Sequence, residues 1–92
     1  MSVLFRFRVS GMTRQQYDQV SSSLEDQGFW PPDGLQLHVM FGQDGDLQVS
    51  EIWESREKQA TFSERLMPTL QGAGVQFSGP PEVFEVHEMQ QP

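Results

Sequence analysis

Residues 35–54 read LQLHVMFGQDGDLQVSEIWE, and this stretch decides the fold. Two β-rich runs, Leu35 to Phe41 and Leu47 to Glu54, flank the segment Gln43-Asp44-Gly45-Asp46. An Asp-Gly pair between two such runs favours a two-residue type I′ turn. The stretch therefore predicts an antiparallel hairpin.

The sequence before the hairpin predicts a strand followed by a helix. From Val3 to Val9 every second residue is apolar, and the residues between them are Leu4, Arg6 and Arg8, a pattern typical of a strand. Ser10-Gly11 ends this run. Thr13 and Gln16 have the spacing of a capping box, so we expect a helix to begin at Thr13. Gly28 is the expected end of that helix.

The sequence after the hairpin repeats this pattern with the helix first. Ser55 is the expected N-cap of a second helix. Three apolar residues at four-residue spacing should face the sheet: Phe62, Leu66 and Leu70. Pro68 should kink or end this helix, because it removes a backbone donor. After a loop that contains Ser78-Gly79-Pro80-Pro81, Glu82 to Met89 is predicted to be the last strand.

The resulting order, βαββαβ, predicts one ferredoxin-like α+β domain over residues 1–92. Two right-handed crossovers around a central hairpin give a four-stranded antiparallel sheet with both helices on one face. The other face would carry Leu37, Val39, Phe41 and Ile52, an apolar surface that one subunit cannot cover. We therefore expect a homodimer that pairs through this face.

Composition limits the remaining possibilities. The chain has 92 residues, no cysteine and a formal net charge of −7. An acidic surface repels phosphate groups, so we expect no nucleic-acid partner and no membrane partner. The N-terminus lacks the pattern of a signal peptide, and the expected location is the cytoplasm. We expect neither a metal nor an organic cofactor.

The chain resembles the dimeric α/β-barrel superfamily, and within it the antibiotic-biosynthesis monooxygenase group. The segments that carry the resemblance are Gly11-Met12-Thr13, Gly34-Leu35, His38-Val39, Ser50 to Glu57, Phe62, Arg65-Leu66 and Pro81 to His87. The resemblance implies a homodimer with a substrate cleft between sheet and helices in each subunit. It also implies that Trp53 matches a tryptophan that lines this cleft. The superfamily includes cofactor-free monooxygenases, other enzymes and members without known activity.

The hairpin turn also predicts a pair of interacting residues. If Asp44-Gly45 is a two-residue turn, His38 lies opposite Glu51, Met40 opposite Val49 and Gln36 opposite Trp53. Directly opposed side chains in an antiparallel pair are close enough to interact. A three-residue loop with a bulge would shift the register by one residue and separate His38 from Glu51.

A His38–Glu51 pair has a catalytic and a structural interpretation. The carboxylate could orient the imidazole as a general base, which makes both residues candidate catalytic groups. The pair could equally be a structural hydrogen bond on a half-buried face. Trp53 likewise could line a substrate site or be a core residue beneath the second helix.

Further residues are candidates for the wall of the cleft. Phe5, Phe7 and Met40 could supply apolar contacts, and His87 a second polar group. Tyr17 could reach the cleft as a proton donor, although its place on the first helix favours core packing. Arg6 and Arg8 could bind a substrate carboxylate, but ion pairs with Glu54 or Glu88 are favoured.

Two functional hypotheses therefore stay open. In the first, the protein is a cofactor-independent enzyme, or a binder of a small aromatic or enol ligand. In the second, it is a non-catalytic homodimeric module whose cleft is filled by its own core. An open pocket would favour the first hypothesis, and closely packed Phe and Leu side chains the second.

Overall fold

The computed structural model of the chain describes all 92 residues, and its centre is an antiparallel sheet. The elements in chain order are β1 (Val3–Ser10), α1 (Arg14–Asp26), β2 (Leu35–Gln43), β3 (Asp46–Trp53), α2 (Arg56–Gly72), β4 (Gln76–Phe77) and β5 (Glu82–Glu85). The strand order is β2-β3-β1-β4, and β5 also pairs with β1. This is the α+β, ferredoxin-like arrangement that the sequence predicted.

The hairpin has the predicted register but not the predicted turn. Gln43 pairs with Asp46 and His38 pairs with Glu51, so the loop has two residues. A type I′ turn needs positive φ at both loop positions, whereas only Gly45 has it here, at +85°. The first residue of α1 also stabilises the turn, because Asp44 Oδ1 accepts a hydrogen bond of 2.9 Å from the backbone N–H of Arg14.

One predicted pair of this hairpin is wrong. Trp53 lies opposite Leu35 rather than Gln36, because the register of β2 shifts between Leu35 and Leu37. Such a shift is a local irregularity that leaves one residue without a direct partner. Gln36 is exposed, and its side chain accepts a hydrogen bond from Ser2 Oγ at 2.7 Å.

Both helices begin as predicted. Thr13 and Gln16 form a complete capping box at α1, and Ser55 Oγ accepts from the backbone N–H of Lys58 at α2. Of the two effects expected of Pro68, a kink or an end of α2, the second does not occur, since the helix continues to Gly72. Pro68 lies on the exposed side of α2, where water can satisfy the carbonyl oxygen that loses its helical partner.

The last strand is shorter than predicted, and a short strand that was not predicted precedes it. β5 ends at Glu85, opposite Val3 at the start of β1, so residues further along the chain have no strand to pair with. A second short strand, Gln76–Phe77, pairs with Ser10 and Val9 at the other end of β1. The predicted loop around Pro80-Pro81 separates the two strands.

The two faces of the sheet differ in polarity. Alternate side chains of β1 and β3 point toward the helices and form the sheet's part of the core: Val3, Phe5, Val9, Leu47, Val49 and Trp53. The outer face carries Leu37, Val39, Phe41 and Phe84, which are 40–49% exposed. Ile52, predicted to belong to this exposed set, is only 7% exposed. Its neighbours Leu4 and Leu37 on the flanking strands account for that burial.

Candidate functional site

Glu51 is the centre of a buried polar cluster on the helix-facing side of the sheet. It is 6% exposed and is the only charged residue in the buried set. Its Oε2 lies 2.6 Å from Nδ1 of His38 on the paired strand. Its Oε1 accepts a hydrogen bond of 3.1 Å from the indole Nε1 of Trp53, two residues along the same strand. The predicted juxtaposition of His38, Glu51 and Trp53 is confirmed.

Tyr17 extends this cluster from the helix above. Its hydroxyl oxygen lies 2.7 Å from Nε2 of His38, and the two rings are stacked with centroids 6.1 Å apart. With Glu51 ionised and His38 neutral, Nδ1–H donates to the carboxylate. Nε2 is then an acceptor, and the Tyr17 hydroxyl donates to it. In this protonation state the cluster is a relay in which Tyr17 donates to His38 and His38 donates to Glu51.

The surroundings of Tyr17 keep its phenol protonated. Burial raises the pKa of Tyr17 above its usual value of 10.0, a hydrogen-bond contribution from Ser21 opposes the rise, and the charge of Glu51 adds to it. A free tyrosinate is accordingly disfavoured in this position. Tyr17 is suited to pass a proton on, provided that another proton replaces it.

A cavity of about 80 Å³ lies between α1, α2 and the sheet, and the relay forms part of its wall. Most of the wall is apolar, with Phe7, Val20, Leu24, Phe62, Leu66 and Phe77 among its members. The polar part consists of Tyr17, His38 and Glu51, together with Ser21, Gln59 and Ser63. The cavity thus joins an apolar wall to a few convergent polar groups, which is the usual composition of a small-molecule site.

Trp30 completes the wall from the loop between α1 and β2. Its ring packs edge-on against His38 with centroids 5.1 Å apart, and it also contacts Phe62 at 6.0 Å. The sequence showed only a stiff loop here, since Pro31 and Pro32 follow directly. The sequence signal that could have identified Trp30 is an aromatic residue in a proline-rich loop directly before the strand that carries His38.

The four other residues predicted to line the cleft lie in different places. Phe7 lines the cavity, as expected. Phe5 is buried in the core, and Met40 packs against that core without reaching the cavity. His87 is exposed and follows the end of β5, because β1 offers no further residues to pair with. Phe5, Met40 and His87 therefore do not belong to the wall of this cavity.

Trp53 occupies the core rather than the cavity wall. Its side chain is fully buried, and its ring lies 5.5 Å from that of Phe62. Trp53 is therefore not among the residues that line the cavity, unlike the expectation from the sequence. What the indole contributes is the hydrogen bond that fixes one oxygen of Glu51.

The basic side chains of β1 lie on the opposite face of the sheet. Arg6 is 3.8 Å from Glu82, and Arg8 is 3.9 Å from Asp46. Ion pairs were the favoured interpretation, although the partners differ from the expected Glu54 and Glu88. No group of three or more His, Cys, Asp or Glu side chains has the arrangement of a metal site. No helix is long and apolar enough to cross a bilayer.

Several solved structures share this fold. SnoaB, a cofactor-independent oxygenase from Streptomyces nogalater, aligns with a TM-score of 0.69 at 11% identity over 96% of this chain and 95% of its own. A Deinococcus radiodurans protein proposed to be an antibiotic-biosynthesis monooxygenase aligns at 0.58 and 14% identity, over 100% and 98%. The de novo designed protein Foldit4 aligns at 0.60 and 8% identity, over 95% and 100%.

These similarities confirm the resemblance at the level of the fold. At such low identity a structural likeness does not transfer an activity. The presence of a designed protein among the matches illustrates the same point. No protein-family model and no curated protein sequence matches the chain.

Proposed function

We propose that this chain is a single-domain, homodimeric protein that binds a small aromatic or enolisable molecule between its sheet and its helices. Its chemistry would be the removal of a proton from that molecule, with His38 as the general base. The observation that carries the proposal is the Tyr17–His38–Glu51 relay in the wall of a largely apolar cavity.

Burial of the relay supports a role in proton transfer. The carboxylate of Glu51 is removed from water, yet both of its oxygens have a donor. An ionised carboxylate held in this way stabilises the imidazolium that forms when His38 accepts a proton. The apolar walls strengthen that electrostatic effect, because they lower the local dielectric.

Oxygenation without a cofactor is the reaction class that we favour for this site. SnoaB, which shares the fold, is a cofactor-independent oxygenase. Deprotonation turns an enolisable molecule into an electron-rich anion that can reduce dioxygen directly. In a balanced monooxygenation of this kind, a CH₂ group becomes C=O, one oxygen atom enters the product, and the other leaves as water with the two hydrogens.

The homodimer would use the outer face of the sheet. Leu37, Val39, Phe41 and Phe84 form an exposed apolar surface there, which is unfavourable in water. A second copy of the same face would cover it, and an obligate dimer of this type buries on the order of 2,000 Å² or more. The cavity opens on the other side of the sheet, so dimerisation would leave it accessible.

A ligand screen followed by an oxygen electrode tests the proposal. Small phenols, enols and β-diketones would be titrated while the tryptophan fluorescence of the protein is recorded, and ligands that bind would be tested for oxygen consumption. We expect binding to at least one class, and oxygen uptake that falls in His38→Gln. Ligand binding without turnover would reduce the proposal to a binding protein.

The alternative, a non-catalytic homodimeric module, has one observation in its favour. The cavity is about 80 Å³, well below the roughly 300 Å³ at which typical ligand pockets begin. In that case the relay is a structural hydrogen-bond network. Absence of binding across the whole screen, together with a stable dimer, would favour this alternative.

A further inference from the structure

Neither ring nitrogen of His38 is free to meet a ligand. Nδ1 faces Glu51 at 2.6 Å, and Nε2 faces the Tyr17 hydroxyl at 2.7 Å. A molecule in the cavity would have to displace one of these partners to touch the imidazole. The hydroxyl oxygen of Tyr17, by contrast, uses its proton on His38, and of its two lone pairs at most one is taken by Ser21, so one stays available to a ligand.

The cavity also has a clear charge preference. None of the residues that line it is Lys or Arg, and its one charged group is the carboxylate of Glu51. The nearby cations Lys58 and Arg65 belong to a separate polar groove beside the start of α2. A ligand that arrives as an anion brings no proton to His38, so it would lose its hydration without gaining a cationic partner, and it would also face Glu51.

We infer that the cavity takes an uncharged molecule with a hydroxyl group, and that Tyr17 is the catalytic residue that exchanges a proton with it. This inference rests on the proposed function and deepens it. The ligand hydroxyl donates to the Tyr17 oxygen, and the Tyr17 proton is the one that His38 receives. A phenol or an enol satisfies these requirements, whereas a carboxylic acid, ionised at neutral pH, does not.

The proton count of this step balances without a further reactant. As the ligand O–H bond breaks, its proton bonds to the Tyr17 oxygen. The original Tyr17 proton moves at the same time to Nε2 of His38. The products are a ligand oxyanion, a neutral Tyr17 and an imidazolium that faces the Glu51 carboxylate. No free tyrosinate is formed, and no oxidant is consumed in this step.

The experiment compares three ring probes of similar shape: benzene, phenol and benzoate. Binding is followed by NMR through the indole N–H of Trp30, which the variant Trp30→Phe assigns because the chain has only two tryptophans. We expect phenol to bind more tightly than benzene, and benzoate to bind most weakly. This comparison uses the wild-type protein and does not depend on any variant.

Tyr17→Phe then tests the contact itself. It keeps the ring and removes the hydroxyl, so phenol should lose about five- to tenfold in affinity and approach benzene, whose affinity should not change. Ser22→Ala, which removes an exposed hydroxyl from the same helix, is the matched control and should leave both affinities unchanged. Equal phenol binding in wild type and Tyr17→Phe would overturn the inference.

Proton transfer has its own readout in a nitrophenol, whose visible absorbance reports its ionisation. At a pH at which the free probe is protonated, wild type should show bound nitrophenolate, and Tyr17→Phe should not. A nitrophenolate band that survives in Tyr17→Phe would overturn the role of Tyr17. Tight binding of benzoate would overturn the charge preference while the proposed function stands. Failure of benzene, phenol and every screened ligand to bind would overturn both.

Discussion

Glu51 Oε2 lies 2.6 Å from Nδ1 of His38, although the two residues are 13 positions apart in the chain. The two-residue turn at Asp44-Gly45 produces this contact, because it sets the residues directly opposite each other on β2 and β3. Trp53 holds the second carboxylate oxygen. Each carboxylate oxygen of Glu51 therefore has its own donor.

Glu51→Gln should destabilise the fold even though it removes a buried charge. A glutamine has one acceptor oxygen for the two donors, so either one of them loses its partner, or His38 changes tautomer and the Tyr17 hydroxyl loses its acceptor. We expect a cost of about 1–3 kcal/mol in the free energy of unfolding, measured by urea denaturation. Glu85→Gln, an exposed carboxylate on β5, is the control and should change stability by less than about 0.5 kcal/mol. Equal stability of the two variants would contradict the hydrogen bonds described here.

Tyr17 should titrate at a higher pH in the folded protein than in the unfolded chain. Burial raises the pKa of its phenol, and Tyr17 is the only tyrosine, so the ultraviolet absorbance of tyrosinate reports this residue alone. The folded midpoint should lie above the unfolded value of about 10. A midpoint equal to that of the urea-denatured protein would mean that the phenol is not buried.

The same shift predicts how stability depends on alkaline pH. Between the unfolded and folded pKa values, the native state keeps a proton that the unfolded chain has lost. The stabilising contribution of Tyr17 is therefore complete below about pH 10 and is lost as the pH rises through the folded pKa. Unfolding curves of Tyr17→Phe should show a weaker decline over this range than those of wild type.

Val39→Asp should weaken the proposed dimer. Val39 is 42% exposed on the outer sheet face, so an aspartate can stay hydrated in the monomer but not between two apposed sheets. We expect the dissociation constant to rise by at least about tenfold, as measured by analytical ultracentrifugation. Ser22→Asp adds the same charge on the exposed side of α1 and should leave association unchanged. Similar behaviour of both variants would place the interface elsewhere.

Gly42→Ala should be costly, whereas Gly72→Ala should not. Gly42 has φ of +100°, and a Cβ there would lie 2.5 Å from the carbonyl oxygen of Asp46. We expect a loss of about 2 kcal/mol or more in the free energy of unfolding. Gly72, at the end of α2, has no such φ and open space around it. The substitution there should be neutral or stabilise by about 0.4–1 kcal/mol. Thermal unfolding of both variants provides the comparison.

Local signals were sufficient for most of the fold. The pattern in β1, the capping box at Thr13 and the Asp-Gly turn each act over a few residues, and each correctly predicted its element, although the turn has the predicted length and not the predicted type. The length of the last strand was not predictable in this way, because it depends on where β1 begins. Pro68 was misjudged for a similar reason, since its effect depends on whether the carbonyl oxygen that loses its partner faces water.

The candidate site was predictable only within the hairpin. His38 and Glu51 follow from turn length and parity, which are properties of adjacent strands. Tyr17 reaches His38 from a helix, and the height and rotation of that helix over the sheet depend on tertiary packing. Trp30 depends in the same way on the path of a loop. Trp53 was placed on the correct face, but the sequence did not show that α2 would cover it.

Strand β2 lies at the edge of the sheet, and its alternate residues point to two different surfaces. His38 belongs to the relay, while its neighbours Leu37 and Val39 belong to the proposed dimer face. Inserting or deleting one residue in the Asp44-Gly45 loop would exchange these two sets if the strand kept its backbone pairing. The length of this loop therefore affects the relay and the apolar face at the same time. A homologue whose loop is one residue longer or shorter must either carry a compensating bulge or lack both the His38 base and the apolar interface.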